Sequence, residues 1–464
     1  MNFRFLEKAA WIAWLISTPG LAYYSPHSTE AILHLDAPLE VQLERVRNIP
    51  SAEALSSPTH PHRKQILDLI EGQLLHLVGL FQSDYFEREV GVKGVLGERR
   101  SVRITGVEAG ASGEPGRFLI HYHADIKVLF DSRVFEREAN SERVSRFEVL
   151  LPLAPDRNYA EGVVGSQNRC TDPDFNGIED FWYFWNPEQE GCPLKGDRQK
   201  VVQVFGQLER LKNTQLSYPH YDDLYGANQN GKTFEASVFF GYITDVAGEV
   251  RRAKRDSAYA SMRFLEADLK SRGFERIAAR DAFRRYRDGS FHSGQNFERL
   301  YELSSGRRGL QGKRVRVKIL VADTSIEAKD TTFHAELLHA LRLSDIVLFD
   351  GHSGLGATLS LSRLPKFRLH PAKSQVFFFN ACSSYPFFND AFFRRKGGAK
   401  NLEILLAGLP TWAPTSGPNA VTFLANFLEG KRTSYQQLLG QIEASNGELG
   451  SSLLGVSGDE EERK

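Results

Sequence analysis

The chain has 464 residues, too many for one ordinary hydrophobic core, so two or three domains are expected. Hydrophobic residues at 41% and charged residues at 25% exclude a fibrous or disordered chain and fit a globular one. With 58 basic against 58 acidic residues the net charge is +0, which excludes nucleic-acid binding driven by the overall field of the protein.

Residues 1–22 carry Arg4 and Lys8, then the short apolar run AAWIAWLISTPGLA, whose Gly20 and Ala22 are small residues where a signal peptidase reads. Pro19-Gly20 breaks a helix at that point, and the run is short for a bilayer span. Glu7 is out of keeping with such a leader. A cleavable signal peptide is expected ahead of an uncleaved anchor or a buried first helix. No later stretch is apolar for long enough to cross a membrane. The mature chain is therefore expected to be exported, periplasmic or secreted, without stable membrane insertion.

Residues 23–60 are weakly periodic, with a short helix expected at LEVQLERVRNI. KQILDLIEGQLLHLVGLF (64–81) has apolar residues at helical spacing. RSVRITGVEA, GRFLIHYHADIKVLF and RVSRFEVLLPL then alternate like strands, separated by Gly- and Asn-bearing turns. They read as an antiparallel meander in an α+β domain over 23–152. The segment 153–230 is a loop-rich connector in which Cys170 and Cys192 flank TDPDFNGIEDFWYFWNPEQEG. In an oxidising compartment they can close a loop of about twenty residues, which stabilises by roughly 3 kcal/mol in the chain-entropy model. Its aromatics are expected to pack beside the bridge.

From 231 to 450 strands alternate with helices: TFEASVFFGYI, SAYASMRFLEADLKSRGF, RVRVKILVAD, TTFHAELLHALRL, DIVLFDGHSG, QVFFFNACSS, NLEILLAGLPT, NAVTFLANFLEG and SYQQLLGQIEAS. Strands apolar on both faces predict an α/β domain, a mainly parallel sheet sandwiched by helices. Residues 451–464, ending GDEEERK, are expected as a disordered tail.

In such a sheet, polar residues at the carboxyl ends of the strands line the ligand crevice. IVLFDGHSG brings His352 to one strand end, and VFFFNACSS brings Cys382 to another. Cys382 is the odd thiol once Cys170 and Cys192 are paired, which marks it as a reactive candidate, although a buried inert cysteine is the alternative. An imidazole beside a thiol can favour the thiolate and return a proton to a leaving amine. Gly351 and Gly354 allow close backbone approach. Amides near Ser353 and Cys382 are natural oxyanion donors, and Ser383 is another.

An apolar strand ending in Gly-His, followed by one ending in Ala-Cys, resembles the caspase, legumain, gingipain and clostripain group of cysteine peptidases (clan CD). The resemblance covers about 233–445 and no more. It implies a caspase-like sheet, His352 as catalytic histidine, Cys382 as nucleophile, and an oxyanion hole from Ser353 and Cys382. Protein or peptide is the implied substrate. No cofactor is required, although the group includes calcium-dependent members. Two departures stand out: Ser353 follows the histidine where the group has Gly, and Ser383-Ser384 follow the cysteine where many members have Gly. The spacing from His352 to Cys382 is also shorter than is usual in caspases. An inactive caspase-like scaffold and a transpeptidase using the same dyad are the rival readings.

The specificity pocket of that group implies the loop GYITDVAGEVRRAKRD. Asp245 there would pair with a substrate Arg or Lys, and Arg251 or Arg252 with an acidic one, unless all three are solvated loop charges. Arg394-Arg395-Lys396 beside Gly397-Gly398 would suit self-processing by an enzyme preferring basic residues, or form a plain exposed loop. Basic specificity is the reading favoured.

His121 and His123 in IHYHAD would face one side of a strand and could bind a metal with a third ligand, but no Cys or His cluster completes the set nearby, so a polar sheet face is expected. His60 and His62 lie in a loop, and His334 and His339 are five apart on a helix, off metal-binding spacing. Asp172, Asp174, Asn176 and Glu179 suggest calcium without the register of an EF-hand. No metal site is assigned.

Overall fold

A computed structural model describes residues 24–44, 46, 48–110, 114–135, 144–160, 169–171, 185–211, 216–226, 232–244, 250–283, 295–325, 332–354, 356–361, 367–388, 390–447 and 452–457. The expected signal peptide (1–22) and the calcium candidates Asp172, Asp174, Asn176 and Glu179 lie outside the described residues.

Strands β1 (Ser28–Gln42), β2 (Gly94–Ala109), β3 (Arg117–Asp131), β4 (Val144–Pro152) and β5 (Val201–Arg210) form a five-stranded sheet in the order β2-β3-β1-β5-β4. All its pairings are antiparallel. β1 corrects the reading of 23–60: Leu39 to Gln42 finish a 15-residue strand rather than begin a helix. Ala31, Leu33, Leu35, Ala37, Leu39 and Val41 alternate and are all buried, so period-two burial overrides the helix formers of LEVQLER. Pro38 disguises the strand. It is tolerated because β5 pairs β1 only from Ala31 to Leu35, leaving no partner on that side at Pro38.

The expected meander is corrected too, because β1 and β5 stand between β3 and β4. The connector is more than loop, since β5 is drawn from it into this sheet. The helix Arg63–Leu80 forms where expected and covers the inner face with Ile66, Ile70, Leu74 and Leu77 fully buried. Cys170 and Cys192 are disulfide-bonded, with Cα atoms 4.6 Å apart. Trp185 is buried nearby in sequence, donating Nε1–H to the Leu150 carbonyl at 3.0 Å.

The second sheet contains β6 (Thr233–Gly241), β7 (Glu275–Phe283), β8 (Gln295–Leu303), β9 (Arg314–Ala322), β10 (Ile346–Gly351), β11 (Gln375–Ala381), β12 (Leu402–Ala407) and β13 (Leu454–Ser457). Their order is β13-β12-β11-β10-β6-β9-β8-β7. From β12 to β9 neighbours run parallel, while β13, β8 and β7 add antiparallel edges. The chain is thus α/β with two sheets, one of them mixed around a parallel centre. β13 corrects the disordered tail: Leu454 and Val456 are buried against β12, an apolar pair hidden beside an acidic terminus.

Helices Ser257–Ser271, Ser416–Leu428 and Tyr435–Ser445 bury their apolar faces on one side of this sheet. Thr332–Leu343 and Asp390–Lys396 lie on the other. That second face shares a core with Tyr24, Val95 and Leu129 of the first domain. Among the described residues no helix is long and apolar enough to cross a membrane.

Candidate active site

β10 and β11 are adjacent and parallel, with Asp350 opposite Asn380 and Gly351 opposite Ala381. The next residue on each chain is His352 or Cys382. Two sequence-predicted residues thus leave neighbouring backbones side by side, at the usual strand spacing of about 4.8 Å. The edge is the carboxyl end of the parallel strands. Gly351 is needed there: a Cβ on it would stand 3.1 Å from the Gly241 Cα on β6.

His352 is exposed and its Nε2 lies 3.0 Å from the Ile243 carbonyl. A carbonyl only accepts, so Nε2 carries the proton and Nδ1 is left as the basic nitrogen. Asp256 builds this anchor. Its buried carboxylate accepts from the Thr244 amide at 2.9 Å, the Thr244 hydroxyl at 2.7 Å and the Ala258 amide at 2.8 Å. It also accepts from the Ile243 amide at 3.2 Å, which fixes the loop whose carbonyl orients His352. The same side chain caps the helix Ser257–Ser271.

Cys382 is the free cysteine of the chain and is partly exposed. Its Sγ lies 3.8 Å from Thr411 Oγ1 and 3.9 Å from the Thr411 carbonyl. Among the described residues no hydrogen bond joins it to His352. Trp412, next to Thr411 in the chain, is 57% exposed. Ser383 adopts φ 49°, the left-handed region that favours glycine, and is fully buried. A non-glycine residue held in this region carries a strain of about 1–3 kcal/mol. The Gln82 side chain of the first domain donates to its Oγ at 3.4 Å. Ser384 holds the far side of the turn, donating to the Phe379 carbonyl at 2.7 Å and accepting from the Ala407 amide at 2.9 Å.

The chain matches no protein-family model and no curated protein. What this edge can do is carried by its own geometry.

Ser353 is buried, and among the described residues neither its amide nor that of Gly354 donates to a backbone carbonyl. The Ser383 amide instead points to the Leu409 carbonyl at 3.4 Å. One step before these strand ends, Asn380 Nδ2 donates to Asp350 Oδ2 at 2.5 Å, and Ser416, the first residue of its helix, bonds the same carboxyl. Burial pushes Asp350 up to about 6 against those two bonds.

The remaining predicted residues are less central. Asp245 lies outside the described residues. Arg251 and Arg252 are exposed on the short helix Val250–Ala253 rather than in a loop. Arg394, Arg395 and Lys396 form the last turn of the helix Asp390–Lys396, which corrects the exposed loop expected there. Lys396 is buried, its Nζ donating to Gln375 Oε1 at 2.6 Å, and burial lowers it to about 7. Cleavage after it would require that turn to unwind. The helix signal was present in DAFFRRK, whose Phe392, Phe393 and Lys396 fall on one face.

Asp256 and Thr411 were missed as site residues because each follows or precedes its strand by a loop that only the fold brings back. Asp350 and Asn380 carried a signal, since each is a lone polar residue one step before an apolar strand ends.

Proposed function

We propose that the chain is a cysteine endopeptidase in which the parallel sheet is a caspase-like domain. The observation that carries this reading is the register of β10 and β11, which sets a partly exposed thiol and an anchored imidazole on adjacent strand ends. The Cys382 thiolate attacks the substrate carbonyl carbon, forming the C–S bond and placing the carbonyl electrons on oxygen. Amides of Ser353 and Gly354, with that of Cys382, stabilise this oxyanion. The C–N bond then breaks, and the departing nitrogen takes a proton from His352. Neutral His352 next deprotonates a water, which attacks the thioester and expels the thiolate. Trp412 offers a flat apolar surface to the substrate chain. The Cys170–Cys192 disulfide is compatible with an exported enzyme. Arg or Lys before the scissile bond is the specificity we favour, with Asp245 as its partner. No metal or organic cofactor takes part in these steps.

The test is digestion of a diverse peptide library by the mature protein, with Cys382→Ala and His352→Ala controls and the products sequenced by mass spectrometry. Cleavage confined to the intact dyad is expected, and His352→Ala should lower kcat/KM by about 10²–10⁴. Ligated peptides would identify a transpeptidase instead. Absence of any product, with Cys382 inert to iodoacetamide, would leave a caspase-like scaffold.

A further inference from the structure

We infer that the outer face of the first sheet holds a divalent transition-metal site, of the kind that takes Zn²⁺, built from His34, His123 and Asp125. The tripeptides His34-Leu35-Asp36 on β1 and His123-Ala124-Asp125 on β3 are paired antiparallel, with His34 opposite Asp125 and Asp36 opposite His123. Two separate His-x-Asp pairs thereby become one cluster, each histidine facing the aspartate of the other strand. One ligand atom from each of His34, His123 and Asp125 lies within 4.8 Å of the others.

The nitrogens divide into inner and outer sets. The inner pair, His34 Nδ1 and His123 Nε2, converge on the same oxygen, Asp125 Oδ1, at 2.7 and 2.9 Å. The outer pair each meet a further carboxylate: His123 Nδ1 lies 2.8 Å from Asp36 Oδ1, and His34 Nε2 lies 3.3 Å from Glu209 Oε2 on β5. A neutral imidazole has one N–H to give. Four nitrogen–carboxylate contacts exceed the two N–H groups that neutral rings supply, and a positive charge between the inner atoms would make up the difference. A metal ion supplies that charge. It replaces the inner protons, and the outer carboxylates then fix each tautomer as they do in carboxylate–histidine–metal arrangements. Small rotations would bring the inner atoms to metal–ligand distances of about 2.0–2.2 Å.

Access and orientation fit as well. The side chains of His34, His123 and Asp125 are 32%, 20% and 27% exposed, so an ion can enter from solvent and keep water as a fourth ligand. Ser101 Oγ donates to Asp125 Oδ2 at 3.1 Å and leaves Oδ1 to the ion. The two rings are stacked with centroids 6.3 Å apart. His121, the neighbour expected to share the face, instead pairs with Glu108 at 3.4 Å and stands outside the cluster.

The experiment titrates the metal-stripped full chain with Co²⁺, read by its visible absorption, and with Zn²⁺ in competition with a chromophoric chelator. One ion per chain is expected. His34→Gln and His123→Gln should each weaken it by more than about tenfold, and Asp36→Asn and Glu209→Gln by about 10–100-fold through lost orientation. His121→Gln should leave affinity unchanged. Uptake should fall as pH drops through the histidine range, because the ion and protons compete for the same nitrogens. Absence of stoichiometric uptake by the wild type overturns the site without reference to any variant. Equal affinity in the His34→Gln, His123→Gln double variant, folded by circular dichroism, also overturns it.

Discussion

At Asp350, burial beside Asn380 and Ser416 pushes the carboxyl up to about 6, whereas at His76 burial outweighs bonds to Gly72 and Gln73 and drives the imidazole down to about 4. The two residues act on stability with opposite sign. Folded Asp350 holds its proton to higher pH than the unfolded chain does, so its contribution is present in acid and is lost as pH rises from about 4 to 6. Folded His76 refuses a proton that the unfolded chain accepts, so its contribution is present above about 6.5 and is lost as pH falls to 4. Each is of the order of 3 kcal/mol, and over this window they nearly cancel. Asp350→Asn removes one side of the balance. Urea unfolding between pH 4 and 7 should show this variant more stable than wild type at pH 7, by about 2–3 kcal/mol, and steeper in its loss of stability towards acid. Parallel curves for the two proteins would show that Asp350 does not titrate in this range.

Ser384 ties β11 to β12 by bonding the carbonyls of Phe379 and Ala407 and the Ala407 amide. Ser384→Ala takes the acceptor from the buried Ala407 amide, while the Ala407 carbonyl keeps the Tyr385 amide, and a loss of about 1–3 kcal/mol is expected in chemical denaturation. Because the turn carries Cys382, the same variant should raise the rate of thiol labelling. Unchanged labelling would show that the turn is held by Ser383 alone. At this scale the legible and illegible parts of the sequence separate cleanly. VFFFNA and IVLFDG could be read as parallel strands because their length and two-faced burial leave no alternative. β7 could not, since ERIAARDAF carries charges and its apolar residues do not alternate strongly enough against solvent. β1 was legible in its alternation but masked by Pro38 and by helix-forming Glu and Leu. The strand ends carrying His352 and Cys382 were readable from sequence. Their adjacency was not, because it depends on strand order, which no local pattern states.

Across the whole molecule the two sheets are joined by a buried charge cluster. The Tyr385 hydroxyl, three residues after the thiol, donates to Glu30 Oε1 at 2.5 Å, and Glu30 Oε2 lies 3.2 Å from Lys127 Nζ. Glu30 is fully buried and Lys127 nearly so. Glu30→Ala removes the carboxylate that both groups face, and about 3–5 kcal/mol should be lost. Calorimetry should show one transition in the wild type and two in the variant, with Glu30→Met, Lys127→Met recovering part of the loss. A loss below about 1 kcal/mol would mean that the interface is carried by apolar contacts such as Val95 and Leu129 instead. Across the same interface Tyr24 bridges Gly455, Ser25 donates its amide to the Leu454 carbonyl at 3.0 Å, and the Ser25 hydroxyl bonds Glu443. Tyr24 stands far ahead of Leu454 in the chain and is synthesised well before it. The first strand therefore has no finished seat until β13 is made, and a chain stopped short of β13 would leave Tyr24 and Ser25 exposed to proteases. Closure of the fold therefore waits on the synthesis of β13.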